Sequence, residues 1–404
     1  MNLTALLATK EIVVCCGSGG VGKTSIAAAT ALGAVNEIGG RVLVVTVDPA
    51  RRLAGALGVG GLGNLARRVP DDVLKAAGYE PRGELWAAML DTKQSWDDLV
   101  LRHAPDEATA YRILDNRLYH NLTARFVQSH DYIAMERLYE LHASGDYDLI
   151  VVDTPPTRNA IDFLDAPARM ADFFGGRLLR WLTLPYRVGG KRGTRLLDIA
   201  SRPFYQVADR VLGSRFLQEI AEFFLNFQSM YDGFVERAHA VEGLLSDRRT
   251  TFAIVTTLEA APLREAESFR AELDARRLHV GAMILNKTLP DFFLDAAGTM
   301  AAQRMVDGAE ELAAGLHRAD PESFADEVRV ARVLRTVADS FHNFAIVAAR
   351  EAELRNELSA AAPLTLRVPG RDDDIADLEG LGWIAGHLFA SARREPLASG
   401  MIDA

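Results

Sequence analysis

Short apolar runs alternate along this chain with longer segments of helical periodicity. The first run, Ile12–Cys16, is rich in β-branched residues and leads directly into a glycine-rich loop; residues 25–35 then read as a helix and residues 41–47 as a second buried strand. Five further buried strands are predicted, at residues 85–90, 149–152, 251–256, 280–285 and 364–368. This spacing of strands and helices predicts right-handed crossovers, and therefore an α/β fold with a mostly parallel sheet of seven or eight strands flanked by helices.

Two long stretches, approximately residues 97–143 and 160–247, show helical periodicity without a convincing strand. Because strands resume at residues 148 and 251, we interpret both stretches as helical insertions into one core rather than as separate domains. We find no internal repeat and no low-complexity linker. The sequence therefore predicts a single domain over residues 1–404 that carries an inserted helical subdomain.

Composition and charge narrow the class of protein. Hydrophobic residues make up 49% and charged residues 25% of the 404 residues, a balance that supplies a large core and excludes a disordered or collagen-like chain. The net charge of −10 argues against a general binder of nucleic acid or of anionic membranes. Cys15 and Cys16 are adjacent in the first apolar run, which suits neither a disulfide nor a zinc site. With no signal peptide and no transmembrane helix expected, we predict a cytoplasmic protein.

The loop after the first strand matches the Walker A pattern Gly-x4-Gly-Lys-Thr in full. A strand before it and a helix after it provide the context in which backbone N–H groups and a helix N-terminus cradle phosphate oxygens. Lys23 is expected to reach the β- and γ-phosphates, and the Thr24 hydroxyl to ligate Mg²⁺. The nucleotide-binding residues predicted here are Gly17, Ser18, Gly19, Gly20, Val21, Gly22, Lys23, Thr24 and Ser25.

Two aspartates, Asp48 and Asp153, directly follow predicted buried strands. Ligands of open parallel sheets bind beyond the carboxyl ends of the strands, so both carboxylates should face the nucleotide. A carboxylate there can hold Mg²⁺ or orient the water that attacks the γ-phosphate. Either aspartate alone could equally be a helix cap or a turn residue, but the pair behind a complete phosphate loop favours the functional interpretation.

These motifs, in their order along the chain, resemble one family. The glycine loop, Asp48-Pro49-Ala50, Asp153-Thr154-x-Pro156-Thr157 and Asn286-Lys287 are similar to the ArsA-like ATPases of arsenical pumps and tail-anchored-protein targeting, a deviant Walker A class of P-loop proteins. The resemblance covers most of the sheet core and reaches Val368-Pro369 near the C-terminus.

The resemblance also assigns expected roles to individual residues. It implies that Asp48 polarises the attacking water in a first switch segment and that Asp153 is the Mg²⁺-binding acid of a second. It further implies that Asn286 hydrogen-bonds adenine, which would give a preference for ATP, and that Pro369 flanks the base.

The sequence departs from the family at Ser18, where the family has a signature lysine that reaches the phosphates of a partner chain. A serine hydroxyl cannot bring positive charge to the transition state. Three explanations stay open: Arg51, Arg52 or Arg158 substitutes for the lysine, a related ATPase supplies it in a heterodimer, or hydrolysis is slow. The cysteines that bind zinc or arsenite in the family's branches are absent, so a metalloid pump is not expected.

The second helical stretch contains a basic block and an aromatic stripe. Residues 177–215 contain nine Arg or Lys and only two Asp, and the aromatic residues that follow repeat at helical spacing. Both features fit a groove for a hydrophobic or amphipathic protein client, with the basic residues facing an acidic partner or a membrane surface. The alternative is a solvated basic face and a buried stripe, and for the stripe we favour the core. The stripe comprises Phe216, Ile220, Phe223, Phe224, Phe227, Tyr231 and Phe234.

These observations predict an ATP- and Mg²⁺-dependent ATPase that acts as a dimeric, nucleotide-driven switch coupled to a protein client. The expected partner is a second copy or a related ATPase; peripheral membrane contact stays open and nucleic acid is not expected. One alternative is a nucleotide-gated binding subunit with little turnover alone, paired with a lysine-bearing paralogue. Another is a positioning ATPase of the partition or septum type, against which the large helical insertions argue.

Overall fold

A computed structural model describes most of the chain: residues 2–47, 52–125, 127–154, 165–166, 169, 223, 226–227, 230–358, 362–371 and 373–390. Within these residues the strands are β1 (Ile12–Cys16), β2 (Gly40–Thr46), β3 (Arg67–Arg68), β4 (Gly83–Met89), β5 (Leu149–Asp153), β6 (Thr250–Thr256), β7 (Val280–Thr288) and β8 (Thr365–Pro369). They form one sheet in the order β3-β4-β2-β5-β1-β6-β7-β8. All neighbouring strands are parallel except β3 and β4, which confirms the predicted α/β class.

The helices of the described residues lie between these strands and at both ends of the chain. They are α1 (Leu3–Leu7), α2 (Lys23–Glu37), α3 (Arg52–Ala56), α4 (Asp71–Ala76), α5 (Thr92–His103), α6 (Glu107–Leu114), α7 (Arg117–Arg125), α8 (Val127–Ala143), α9 (Tyr231–Ser246), α10 (Ala260–Ala275), α11 (Ala296–Asp307), α12 (Ala309–Ala319), α13 (Glu327–Leu358) and α14 (Leu378–Phe389). A short 3₁₀ helix, Asp291–Leu294, precedes α11. None of them is long and apolar enough to span a lipid bilayer.

The central strand β1 contributes to a hydrophobic core on each face of the sheet. Val13 and Cys15 enter the core that includes α2 and α14, whereas Val14 and Cys16 enter the core that includes α8, α9 and α10. This alternation follows from the two-residue period of a strand. Both cysteines are buried, as expected of core residues, and burial raises the pKa of both thiols.

The predicted strands match the observed ones closely, apart from the edge strand β3. Its two residues, Arg67 and Arg68, carry no apolar signal from which a strand could be predicted. They pair antiparallel with β4, and Arg68 forms ion pairs with Asp71 and Glu84. A short, charged edge strand of this kind discourages pairing with another sheet.

Helices α5 to α8 occupy most of the first predicted helical stretch, and α9 lies at the end of the second. Phe223, Phe227 and Phe234 of the aromatic stripe are buried with Trp96 and Tyr132, so for these residues the core interpretation is confirmed. Phe216, Ile220, Phe224 and the basic block 177–215 lie outside the described residues, and the side chain of Tyr231 is not described. The assignment of residues 1–404 to one domain stays a prediction.

A third helical segment, which the sequence analysis did not single out, connects β7 to β8. It comprises the 3₁₀ helix, α11, α12 and the 32-residue α13, and both α11 and α12 pack on α13. The contact between α12 and α13 is built from small residues, Ala309, Ala313 and Ala331. Helices were expected between these strands, but such small residues give a weak apolar period, and the sequence did not indicate a separate helical segment here.

Candidate nucleotide-binding site

The glycine-rich loop connects the carboxyl end of β1 to the N-terminus of α2 in the middle of the sheet. Gly17, Gly20 and Gly22 have φ values of 151°, 81° and 90°, conformations that glycine adopts at little cost. A Cβ atom at Gly17 would lie 2.0 Å from the Val255 carbonyl oxygen. At Gly22 it would lie 2.4 Å from Nδ2 of Asn286. A backbone oxygen at Gly17 and a side-chain amide at Gly22 therefore leave no room for a Cβ atom, and a glycine loop of this kind is suited to phosphate oxygens.

Lys23 is the first residue of α2, and its side chain folds back over the loop. Its Nζ donates a hydrogen bond to the Ser18 carbonyl oxygen at 2.8 Å, and only 6% of the residue is exposed. A cation held over a loop at a helix N-terminus is a favourable environment for an anion. The Ser18 hydroxyl is buried and makes no hydrogen bond to the described residues.

Thr24, Thr46 and Asp153 converge from three elements of the central sheet region. The hydroxyl groups of Thr24 and Thr46 both donate to Oδ2 of Asp153, at 2.7 and 2.8 Å, and Asp153 is only 1% exposed. The structure thus brings together Thr24 and Asp153, the two residues predicted to hold Mg²⁺. A hydroxyl and a carboxylate are hard oxygen donors and fit Mg²⁺.

Thr46 was not predicted as part of the site. Its only signal in the sequence is a hydroxyl at the end of the otherwise apolar strand β2, two residues before Asp48. Beside it, the Val47 N–H donates to the Asp153 carbonyl oxygen, so the chain leaves β2 next to Asp153. Asp48 itself lies outside the described residues, as do Arg51 and Arg158, and the side chain of Arg52 is not described.

The end of β7 supports the phosphate loop from the other side. The Asn286 side chain is buried, and its Nδ2 donates to the Val21 carbonyl oxygen at 2.8 Å. Lys287 has a left-handed backbone with φ of 57°, and its Nζ donates to the Gly20 carbonyl oxygen at 3.1 Å. Both residues therefore fix the loop, a contact that the sequence did not predict; the adenine contact of Asn286 stays a prediction.

Pro369 lies next to this part of β7. It pairs with Thr288 in the register of β7 and β8, two residues beyond Asn286. The Gly370 N–H donates to the Thr288 carbonyl oxygen at 2.8 Å and continues the pairing past the proline. The two residues expected to contact adenine thus lie on adjacent strands at the same end of the sheet.

Thr154 ties the start of the predicted second switch to the central strand. Its backbone N–H and its hydroxyl both donate to the Cys15 carbonyl oxygen, at 3.3 and 2.9 Å. Cys15 is two residues before Gly17, so this contact joins the segment after Asp153 to the strand that carries the phosphate loop. Residues 155–164 lie outside the described residues.

Sequence comparison identifies relatives of this chain. An uncharacterized protein of Streptomyces coelicolor is 28% identical over 68% of this chain and 62% of its own length. The putative arsenical pump-driving ATPase 1 of Aquifex aeolicus is 24% identical over 70% of this chain and 64% of its own length. ATPase get3 of Schizosaccharomyces pombe is 22% identical over 80% of this chain and 88% of its own length. The matches thus span less than two thirds of the first two relatives.

The sequence profile of the anion-transporting ATPase family matches residues 10–308. That range covers more than half of the chain and contains the phosphate loop, Asp153 and Asn286. With its motifs in family order and its glycine loop at the carboxyl end of β1, this chain belongs to the anion-transporting ATPase family.

Proposed function

We propose that this protein binds ATP with Mg²⁺ at the phosphate loop and hydrolyses it to ADP and phosphate. The observation that carries the proposal is the hydrogen bond between Thr24 and Asp153. It places a hydroxyl and a carboxylate side by side at the N-terminus of α2, next to the buried Lys23. Phosphoryl transfer needs a loop that holds the phosphates, a cation that contacts them and oxygen ligands for Mg²⁺. The phosphate loop, Lys23 and the pair of Thr24 and Asp153 provide these three groups.

In the proposed reaction each group has a separate task. Backbone N–H groups of residues 17–22 and the N-terminus of α2 hold the phosphates, and Lys23 contacts their β- and γ-oxygens. Bound Mg²⁺ would neutralise negative charge on these oxygens, with Thr24 and Asp153 as the residues that hold it. Asp48 would orient the attacking water, and Asn286 and Pro369 would contact the adenine.

The nucleotide state is proposed to reach the helical subdomain through the segments that follow Asp48 and Asp153. This is supported by the hydrogen bonds of Asp153 with Thr24 and Thr46 and by the hydrogen bond of Thr154 to β1. A γ-phosphate that contacts the segment after Asp153 would therefore affect residues bound to β1, β2 and β5. A switch requires contacts that differ between the ATP and ADP states. Members of the family typically dimerise, and a dimer of this chain or a heterodimer with a related ATPase is proposed.

Handling of a protein client is the remaining part of the proposal. It rests on the family resemblance and on the basic block 177–215, since the described aromatic residues Phe223, Phe227 and Phe234 are buried in the core. A client groove must therefore use other residues. The alternative of a binding subunit with little turnover alone is favoured by Ser18, which offers no charge to a partner's phosphates.

Turnover per chain, measured over a range of protein concentrations, tests these proposals. Lys23→Ala provides the blank, and Lys75→Ala, an exposed lysine on α4, is the matched control that should retain activity. Turnover that rises with concentration and saturates supports a self-activating homodimer. Binding of ATP with turnover at the blank level supports the partner-dependent alternative, and a wild-type protein that binds no ATP rejects both.

A further inference from the structure

Two adjacent residues at the end of β7, Asn286 and Lys287, both reach the phosphate loop. Nδ2 of Asn286 donates to the Val21 carbonyl oxygen, and Nζ of Lys287 donates to the Gly20 carbonyl oxygen. Consecutive side chains of a regular strand point to opposite faces of the sheet, so one of the two would normally point away from the loop. The backbone of β7 therefore departs from regular strand geometry at this place.

The departure lies at Lys287, whose φ of 57° is in the left-handed region. Among the described residues, Arg277 is the only other residue besides glycine with such a backbone. The pairing of β7 with β8 also shifts register between Leu285 and Thr288. Irregularities of this kind re-aim side chains and are frequent beside active sites. Here the irregularity directs the Lys287 side chain to the loop.

The residues around Lys287 hold it in this conformation. A left-handed backbone is less favourable for lysine than for glycine, and it persists where the surrounding structure imposes it. Asn286 and Thr288 on either side are buried, and Thr288 pairs with β8. The Leu289 N–H donates to the Glu351 carboxylate of α13 at 2.9 Å. The chain thus keeps a lysine where glycine would be less strained, a feature that is typical of functional sites.

The contacts of Lys287 and Asn286 fix the direction of two peptide units in the loop. Each peptide unit is planar and trans, so its N–H points away from its C=O. A donor that holds the Gly20 carbonyl oxygen on the β7 side therefore turns the Val21 N–H to the other side. Asn286 does the same for the Gly22 N–H through the Val21 carbonyl oxygen. Inward N–H groups of this kind are what a phosphate loop offers to phosphate oxygens.

Lys287 also brings positive charge to the loop. No carboxylate of the residues described by the structure forms an ion pair with it. A charged donor makes a stronger hydrogen bond to a carbonyl oxygen than a neutral donor does. The chain contains only six lysines beside 39 arginines, yet Lys23 and Lys287 both bind carbonyl oxygens of this loop. A second cation beside the loop favours an anionic ligand there.

We propose that Lys287 is a positioning residue of the nucleotide site. Its left-handed backbone aims the ammonium group at the Gly20 carbonyl oxygen, which holds the Val21 N–H towards the phosphates and adds positive charge beside them. This inference rests on the proposed binding of nucleotide and adds a residue to that site.

The test is a substitution that relieves the backbone and removes the ammonium group. In Lys287→Gly, the dissociation constant for ADP with Mg²⁺, measured by calorimetric titration, should rise about tenfold because a charged hydrogen bond to the loop is lost. The midpoint of thermal unfolding without nucleotide should not fall, since glycine adopts the left-handed backbone readily. Affinity and stability should therefore move independently, which a merely structural role of Lys287 would not produce.

Arg277→Gly is the matched control for the backbone. Arg277 is exposed, has a φ of 60° and precedes β7, at the opposite end of that strand from the phosphate loop. Its replacement relieves the same conformation and should leave the dissociation constant for ADP at the wild-type value.

Lys287→Asn is a second variant, because glycine also loosens the chain. Asparagine tolerates a left-handed backbone, but its side chain is shorter and carries no charge. We expect the same loss of affinity as in Lys287→Gly.

Three outcomes overturn the inference. The first is wild-type affinity in either Lys287 variant. The second is a loss of stability in both variants that parallels the loss of affinity, since Lys287 would then support the fold alone. The third is a wild type that binds no ADP, which would reject the proposed nucleotide site itself; wild-type binding with unchanged affinity in the variants rejects only the role of Lys287.

Discussion

Asp153 is the residue on which the polar contacts of the candidate site converge. Oδ2 of Asp153 accepts hydrogen bonds from the hydroxyl groups of Thr24 and Thr46. The backbone carbonyl oxygen of Asp153 accepts a hydrogen bond from the Val47 N–H. A carboxylate that is 1% exposed must be satisfied by hydrogen bonds or by a cation, because burying it otherwise is costly. The two threonines hold its orientation at the place where Mg²⁺ is proposed to bind.

Replacing Asp153 by Asn tests the role of its negative charge, because asparagine has nearly the same shape as aspartate. Asp153→Asn keeps an oxygen that can accept from Thr24 but removes the negative charge that attracts Mg²⁺. We expect turnover to fall about 100-fold or more, since metal and phosphate positioning dominates this chemistry. The measurement is ATP turnover as a function of Mg²⁺ concentration.

Thr46→Val is the control for this substitution, because it removes one hydrogen bond to Asp153 and leaves the carboxylate charged. We expect it to cost about 1 kcal/mol of stability and to leave the Mg²⁺ dependence close to that of the wild type. Unchanged Mg²⁺ dependence in Asp153→Asn would contradict the proposed role of Asp153.

At the scale of elements, every strand except β3 was predictable, whereas the third helical segment was not indicated as a separate unit. Buried β-branched runs such as Ile12–Cys16 show in the sequence because both faces of a parallel strand are covered. Strand β3 is two exposed arginines, and α12 packs through alanines, so neither carries a hydrophobic period. The hydrogen bonds of Asn286 and Lys287 to the phosphate loop join residues more than 260 positions apart, which no local pattern predicts.

The contact between α2 and α14 depends on Gly33, a glycine in the interior of α2. Alanine is the better helix former, but a Cβ atom at Gly33 would lie 2.1 Å from the Phe389 ring. We expect Gly33→Ala to destabilise the protein by about 1–3 kcal/mol through overpacking. Gly386→Ala on α14 meets no atom within 4 Å and should be neutral or stabilise by up to about 1 kcal/mol. Thermal unfolding measures both, and equal effects would contradict the packing argument.

A buried ion pair joins α8 to α9. Glu136 is 1% exposed and contacts Arg237, and Tyr132 donates to Glu136 at 2.8 Å. Burial raises the pKa of Glu136 and outweighs Arg237, which lowers it. A carboxyl whose pKa is higher in the folded state than in the unfolded state loses stability as the pH rises from the unfolded value through the folded one.

Arg237→Met should make this pH dependence steeper. Without the guanidinium, the Glu136 pKa rises further and its ionised form is buried without that cation. We expect a loss of about 3–5 kcal/mol near neutral pH that shrinks in acid, where Glu136 is protonated. Arg102→Ala, which removes an exposed partner of Glu140, is the control and should cost at most about 1 kcal/mol at either pH. The free energy of unfolding, measured by chemical denaturation at pH 5 and pH 8, tests this prediction. An equal loss of stability in Arg237→Met at both pH values would contradict the proposed role of the Glu136 charge.

At the scale of the whole molecule, the phosphate loop is joined to the sheet at several points. It follows β1, Asp153 of β5 binds Thr24, and Asn286 and Lys287 of β7 bind its carbonyl oxygens. Local opening of the loop would therefore break contacts with the central strands. The motif itself could be predicted from adjacent residues, whereas these supports depend on strand order, which the sequence leaves open.

Because these hydrogen bonds connect the phosphate loop to the strands, nucleotide binding should stabilise the entire sheet rather than the loop alone. A ligand that binds only the folded state at 100 times its dissociation constant adds about 2.7 kcal/mol to the free energy of unfolding. We expect ADP with Mg²⁺ to raise the midpoint of thermal unfolding in the wild type and equally in Lys75→Ala. Lys23→Ala should show a much smaller shift, since its phosphate contact is lost. A full shift in Lys23→Ala would mean that nucleotide binds elsewhere, and the coupling of loop and sheet would then need another explanation.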